Sequence, residues 1–167
     1  DSPLPVRRIL SDYVELQAVA TRRQIEAMAA STRCPVTRPK LDALIAEPKD
    51  GVDPYRAEVF LKRRSPLDLM EEFRACELPF GHFLEMLPPL APRYYSISSA
   101  PAAAPGRAAI TVGVVDGPAR SGKGVYKGSC SNHLALQAVG STIHAAIRET
   151  KAGFRLPDDP AVPIVMI

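Results

Sequence analysis

Apolar positions recur every three or four residues through the first half of the chain and alternate through much of the second, which predicts helices before about residue 90 and strands after it. Thr21 followed three residues on by Gln24 spells a capping box, and behind it Ile25, Met28 and Ala29 recur at helical spacing. Ser65, with Pro66 at the first helical position and Asp68 three residues after the serine, repeats the device ahead of Leu67, Leu69, Met70 and Phe73. Between these starts lie two shorter helical stretches, KLDALIAE and DPYRAEVFLKRR, the second opened by Asp53 and Pro54. A further helix over residues 80–87 must stop at Pro88 and Pro89, because proline cannot continue the hydrogen-bond ladder.

Beyond Pro92 the period shortens. RYYSISSA is aromatic, β-branched and alternating, AAITVGVVDG repeats the pattern, and a Pro/Ala/Gly loop over residues 101–107 separates them, as two strands require. STIHAAIRE, GFRL and VPIVMI supply three more strand candidates, while SCSNHLALQA reads as a short helix with serine at its start. The predicted class is therefore α+β, a helical layer over residues 1–90 followed by antiparallel sheet over residues 91–167.

Composition narrows the function classes. With 167 residues, 46% of them hydrophobic, the chain can build one domain, or a domain and an attached subdomain, around a real core. A net charge of +3 with 23% charged residues indicates neither a disordered tail nor a nucleic-acid binder. Three cysteines without CxxC spacing point away from a disulfide framework and from structural zinc, and fit a reducing, cytoplasmic setting. His82, His133 and His144 are too scattered for a metal site. No run approaches the roughly 18 apolar residues of a membrane span. The start at Asp1 and the apolar run at the other end read as a piece of a longer polypeptide.

Two short runs carry candidate chemistry. In a strand, Arg93 and Tyr95 share one face while Tyr94 and Ser96 share the other. A guanidinium beside an aromatic ring suits a ligand with an anionic group and a planar ring, the charge-assisted bonds contributing about 1.5–3 kcal/mol each and stacking about 1 kcal/mol. The same residues also read as an ordinary strand whose arginine reaches water and whose tyrosines cover a core edge. The second run, Gly128, Ser129, Cys130, Ser131 and Asn132, precedes an apolar helix, where free backbone N–H groups and small side chains make a phosphate site. It also reads as a plain serine N-cap. Taken together, a strand arginine and a helix start could clamp one pyrophosphate from two sides.

These runs, PRYYSISSAP and YKGSCSNHLA, resemble the FAD-binding domain of the diflavin reductases, which include NADPH-cytochrome P-450 reductase and the reductase half of bacterial self-sufficient fatty-acid hydroxylases. YVELQAVATRRQIEAMAA, the Cys34-Pro35 pair and EFRACELPFGHFLEMLPPLAPRYYS are similar to the connecting subdomain of the fused bacterial enzymes, so the resemblance covers nearly the whole chain. It implies part of a six-stranded antiparallel flavin-binding β-barrel over residues 91–167, with an inserted helical connecting subdomain over residues 1–90.

The resemblance also assigns roles. Arg93 would pair with the FAD pyrophosphate, Tyr95 would stack on the isoalloxazine with Tyr94 also in the cofactor set, and Ser96 would be the catalytic residue, near the hydride-accepting nitrogen. Ser131 and the backbone of Gly128, Ser129 and Cys130 would hold the pyrophosphate. Val112, Gly113 and Val114 would offer backbone to the polar edge of the ring. Electrons would run from NADPH through FAD to FMN in a flavodoxin-like domain and on to a heme domain, all partners in the same polypeptide. The Gly-rich NADPH-binding half, the C-terminal cysteine, acidic residue and aromatic, and the first barrel strands do not occur in this sequence. The chain alone is therefore expected to hold part of the flavin pocket without oxidising NADPH. Rival expectations are a flavin-free connecting or docking module, and a reductase for another acceptor of the sulfite reductase or nitric-oxide synthase type.

Three further features are decoys. Residues 117–124 nearly spell a P-loop but lack the final Ser or Thr and carry proline second, so they read as a flexible connection between strand and helix. Cys130 reads as a small residue tolerated beside a ligand, without a partnered base. Lys62, Arg63 and Arg64 read as a solvated helix end, or as a face for an acidic flavodoxin-like partner.

Overall fold

Both capping boxes close in the computed structural model, which describes residues 3–149 and 156–165. Thr21 Oγ1 accepts the Gln24 N–H at 3.3 Å while Gln24 Oε1 accepts the Thr21 N–H at 2.7 Å. Ser65 Oγ accepts the Asp68 N–H at 3.1 Å, and Asp68 Oδ2 accepts the Ser65 N–H at 2.8 Å. Each box satisfies two backbone groups that a helix start otherwise leaves open. The helices are α1 (Val6–Asp12), α2 (Arg22–Ala30), α3 (Thr37–Leu44), α4 (Pro66–Glu72), α5 (Phe80–Met86) and α6 (Ser129–Ala135), with a π-helical turn over Arg56–Phe60.

The helical layer holds the core. Ile25 and Met28 of α2, Leu41 of α3, Val59 of the π-helical turn and Leu69 of α4 are all fully buried, each burial contributing about 1.5–3 kcal/mol. Buried polar groups within it are bonded: Thr32 Oγ1 donates to Met28 O at 2.7 Å, and the Gln24 amide donates to Met86 O, tying α2 to α5. The basic cluster departs from a solvated helix end at Arg64, which is 7% exposed and pairs with Glu72 at 2.7 Å. A buried guanidinium must be paired, and α4 supplies the carboxylate.

The sheet portion is smaller than the alternation predicts. Among the described residues one ladder forms, β1 (Asp116–Pro118) antiparallel to β2 (Val125–Lys127), in register Asp116↔Lys127, Gly117↔Tyr126 and Pro118↔Val125. RYYSISSA and the part of AAITVGVVDG before β1 meet in a single bridge, Ile97↔Ile110, with Ser98 N–H donating to Ala109 O at 2.8 Å. Alternation sets which face a side chain takes, but a ladder needs a buried face, and Ile97, Ile110, Val114 and Val115 remain exposed.

The P-loop-like run is the tip of the β1–β2 hairpin rather than a link from strand to helix. Its turns close through Gly122 N–H to Ala119 O at 2.9 Å and Ala119 N–H to Gly124 O at 3.1 Å. Gly122 and Gly124 stand at φ of 77° and 69°, a region that disfavours side chains.

The chain divides into two units, Asp1–Leu136, which contains every element above, and Gln137–Ile167. In the second unit the strand expected at STIHAAIRE is absent over residues 141–149, where Ile147 is largely exposed. GFRL lies outside the described residues except for Leu156, and of VPIVMI the described residues 162–165 form no strand.

Candidate functional site

Pro88 and Pro89 end α5 and hand the chain to an extended segment pinned beside the turn that follows α1. Val14 and Pro89 form a bridge, Glu15 N–H donates to Pro88 O at 2.9 Å, and Leu90 N–H donates to Tyr13 O at 2.8 Å. Arg93 emerges from this anchored stretch. Its Nη1 donates to Ala91 O and its Nη2 to Glu15 Oε2, both at 2.7 Å. The remaining guanidinium N–H groups stay available to an anion.

Tyr95 is half-buried, two residues on. The neighbouring Cys130 thiol pushes its pKa above the ordinary tyrosine value, burial adds to the shift, and Arg93 opposes it. This contact joins the strand-like segment to the start of α6. Tyr95 thus has Arg93 and Cys130 as neighbours.

The start of α6 is built differently from a serine cap. Gly128 is the N-cap and no side chain caps the helix. Ser131 turns inward instead: its Oγ accepts the Val115 N–H at 3.1 Å, sits 3.3 Å from Gly128 O, and the residue is 5% exposed. Asn132 Nδ2 donates to Val115 O at 2.8 Å and to Gly128 O at 3.0 Å, while Gly128 N–H donates to Val115 O at 2.9 Å. Glycine lets residue 128 approach closely, because a Cβ there would stand 2.8 Å from Ser131 Oγ and 2.9 Å from Val115 Cβ. The first-turn N–H groups of Ser129, Cys130 and Ser131 have no partner within the helix, as at any helix start.

The other predicted site residues stand further out. Tyr94 is 71% exposed and Ser96 is exposed. Val112, Gly113 and Val114 precede β1 and lead into Val115, which carries them to the edge of the α6 start. Two residues outside the predicted runs help to build the site, Glu15 and Gln17, while Asn132 of the second run braces Val115 and Gly128. Gln17 Nε2 donates to Lys127 O at 3.0 Å and to Ser129 Oγ at 3.2 Å, so one turn touches both Arg93 and the α6 start. No local pattern links a carboxylate to an arginine 78 positions later.

Lys123 of the hairpin tip is engaged elsewhere, bonded to Glu72 at 3.0 Å. Burial raises the Glu72 carboxyl, but Lys123 and Arg64 outweigh it and hold the pKa below the ordinary carboxylate range. Among the described residues no cluster of three or more His, Cys, Asp or Glu could hold a metal, and no helix is long and apolar enough to cross a membrane. A cation, a row of free N–H groups and a half-buried aromatic ring are the donor set that a diphosphate with a planar ring requires, and the residues present fit such a group.

Comparison with known proteins agrees with that chemistry. Residues 1–133 match the FAD binding domain family. The chain is 48% identical over 165 residues to bifunctional cytochrome P-450/NADPH–P-450 reductase 1 of Bacillus subtilis, covering 99% of this chain and 15% of that protein. It is also 48% identical over 167 residues to the bifunctional cytochrome P-450/NADPH–P-450 reductase of Bacillus cereus, covering 100% and 15%. A self-sufficient cytochrome P-450 monooxygenase of Aspergillus kawachii is 38% identical over 167 residues, covering 99% and 15%. The chain therefore spans about 15% of the length of these curated relatives.

Proposed function

The chain belongs to the FAD binding domain family, and from that premise we propose that it is the FAD-holding module of an NADPH-dependent diflavin reductase fused to a heme monooxygenase. The observation that carries this reading is the turn at Glu15 and Gln17, which binds Arg93 through Glu15 and reaches Lys127 O and Ser129 Oγ at the α6 start through Gln17. Arg93 and the N–H groups of Ser129, Cys130 and Ser131 hold the pyrophosphate, with Gly128 keeping the approach open and Ser131 acting through its hold on Val115. Tyr95 covers the ring, Tyr94 lies in the same cofactor set, Ser96 serves the hydride-receiving edge, and the backbone of Val112, Gly113 and Val114 meets the polar edge. When bound, FAD supplies the chemistry, taking a hydride from NADPH and releasing electrons singly; the protein supplies position and electrostatics.

Residues 1–90 act as the connecting subdomain and residues 91–167 as a portion of a six-stranded antiparallel barrel. The β1–β2 hairpin, the Ile97↔Ile110 bridge and the exposed apolar residues beside them support that extension, since such edges seek further strands. An NADPH-binding domain, an FMN-binding flavodoxin-like domain and a heme domain of the same cytoplasmic polypeptide are its partners. The P-450 fusions among its relatives favour heme over sulfite reductase or nitric-oxide synthase acceptors.

An FAD titration of the 167-residue chain, read by flavin fluorescence, tests the reading. FAD is expected to bind in preference to FMN. Arg93→Ala is expected to raise the Kd roughly 10-fold or more, from the loss of about 1.5–3 kcal/mol of charge-assisted bonding. A folded chain that ignores FAD, or binds it equally well without Arg93, refutes the assignment.

A further inference from the structure

We propose that Glu15 is a positioning residue for the flavin pyrophosphate, fixing the guanidinium of Arg93 in the orientation that receives the anion. The proposal rests on the assignment of Arg93 made above. Glu15 lies in the helical half of the chain, where nothing in the sequence motifs marks it, yet its carboxylate is the more rigid member of the pair. Its side chain is 15% exposed against 43% for Arg93. Its Oε1 accepts the Gln17 N–H at 3.2 Å, and its own N–H is bound to Pro88 O at 2.9 Å. The carboxylate is thus tied at the backbone and at one oxygen, which leaves the second oxygen aimed at Arg93.

Arg93 is then held at two points. Nη1 is bound to Ala91 O and Nη2 to Glu15 Oε2, which together define the plane of the guanidinium. An exposed arginine samples many rotamers, and binding an anion requires selecting one; a guanidinium already fixed loses less freedom on binding. The cost is a negative charge near an anion site. Arg93, where the anion is received, is 43% exposed, so solvent screens much of that repulsion and orientation outweighs it. Gln17 braces Lys127 O and Ser129 Oγ from the same turn, and so the turn also reaches the start of α6.

The experiment compares Glu15→Ala, Glu15→Gln, Arg93→Ala and the Glu15→Ala/Arg93→Ala double variant of the full chain by titration with FAD and with riboflavin, which has the ring without the pyrophosphate. Glu15→Ala is expected to raise the FAD Kd about 10-fold with riboflavin binding unchanged. Glu15→Gln, whose amide oxygen can still accept from Arg93, is expected to recover most of that loss. In the Arg93→Ala background, removing Glu15 is expected to have no further effect, because Glu15 acts through Arg93. Tighter or unchanged FAD binding by Glu15→Ala, equal loss of riboflavin, or losses that multiply in the double variant each overturn the proposal. If Glu15→Ala does not fold, Glu15→Asp, which shortens the reach by one methylene, must show the same selective loss of FAD binding or the proposal fails. Arg93→Ala without effect on FAD overturns the pyrophosphate assignment itself, whereas Arg93→Ala with effect and Glu15→Ala without effect overturns only the role of Glu15.

Discussion

Gly128→Ala places one methyl group where β1, its preceding strand-like segment and α6 converge. Gly128 has φ −63° and ψ 118°, which alanine adopts freely, so the backbone itself is not strained by the change. Alanine also restricts the unfolded chain, which by itself favours the folded state by about 0.4–1 kcal/mol. Against this stands the new Cβ, 2.8 Å from Ser131 Oγ and 2.9 Å from Val115 Cβ. Neither neighbour can yield cheaply, since Ser131 Oγ is bound to the Val115 N–H and Val115 O takes both Gly128 N–H and the Asn132 amide. Overpacking of this kind costs about 1–3 kcal/mol, and weakening the Ser131 bond adds about 0.5–1.5 kcal/mol. The net expectation is a loss of about 1–3 kcal/mol.

Urea unfolding measures it directly, as a midpoint lowered by about 1 M for a slope of about 1–3 kcal/mol/M. Gly81→Ala is the matched control: it lies in α5 with nothing within 4 Å of an added Cβ, and is expected to raise stability by about 0.5–1 kcal/mol. If Gly128→Ala were as stable as the parent, the tight approach of residue 128 to Val115 would be wrong, and with it the geometry of the α6 start.

Two further outcomes follow from the helical half. Because Glu72 has a folded pKa below the unfolded carboxylate value of about 4.3, its ion pairs stabilise fully above that value and the contribution is lost as pH falls through the folded pKa. Urea midpoints should therefore fall more steeply on acidification in the parent than in Glu72→Gln, which should lose about 1–2 kcal/mol near neutral pH by leaving Arg64 unpaired; parallel pH profiles would contradict this. Thr21→Ala removes one half of the α2 capping box and should cost about 1 kcal/mol, read as a lower thermal midpoint with unchanged helix content at low temperature.

Much of the helical half was legible because its signals are local. A capping box closes within three residues, and the prolines after α5 stop a helix whatever surrounds them, so Thr21, Ser65 and Pro88 could be read from their neighbours alone. The start of α6 was legible for a related reason, since the small residues at 128–132 mark a helix start, although Gly128 rather than a serine is its cap. The extended segments were overread. Alternation at Ile97 and Ile110 states which face is apolar, but only neighbouring strands turn that face into a ladder.

The sequence by itself determined the capped starts of α2 and α4 and the proline stop after α5, since each depends on residues a few positions apart. Only the tertiary structure decided that Ser131 would face inward to Val115, that Lys123 of the P-loop-like run would be spent on Glu72, and that Glu15 would hold Arg93. These partners are 16, 51 and 78 positions apart. A hydrogen bond or ion pair across such a separation forms because packing of the intervening chain brings the groups together, and nothing in the local spacing of residues encodes that meeting.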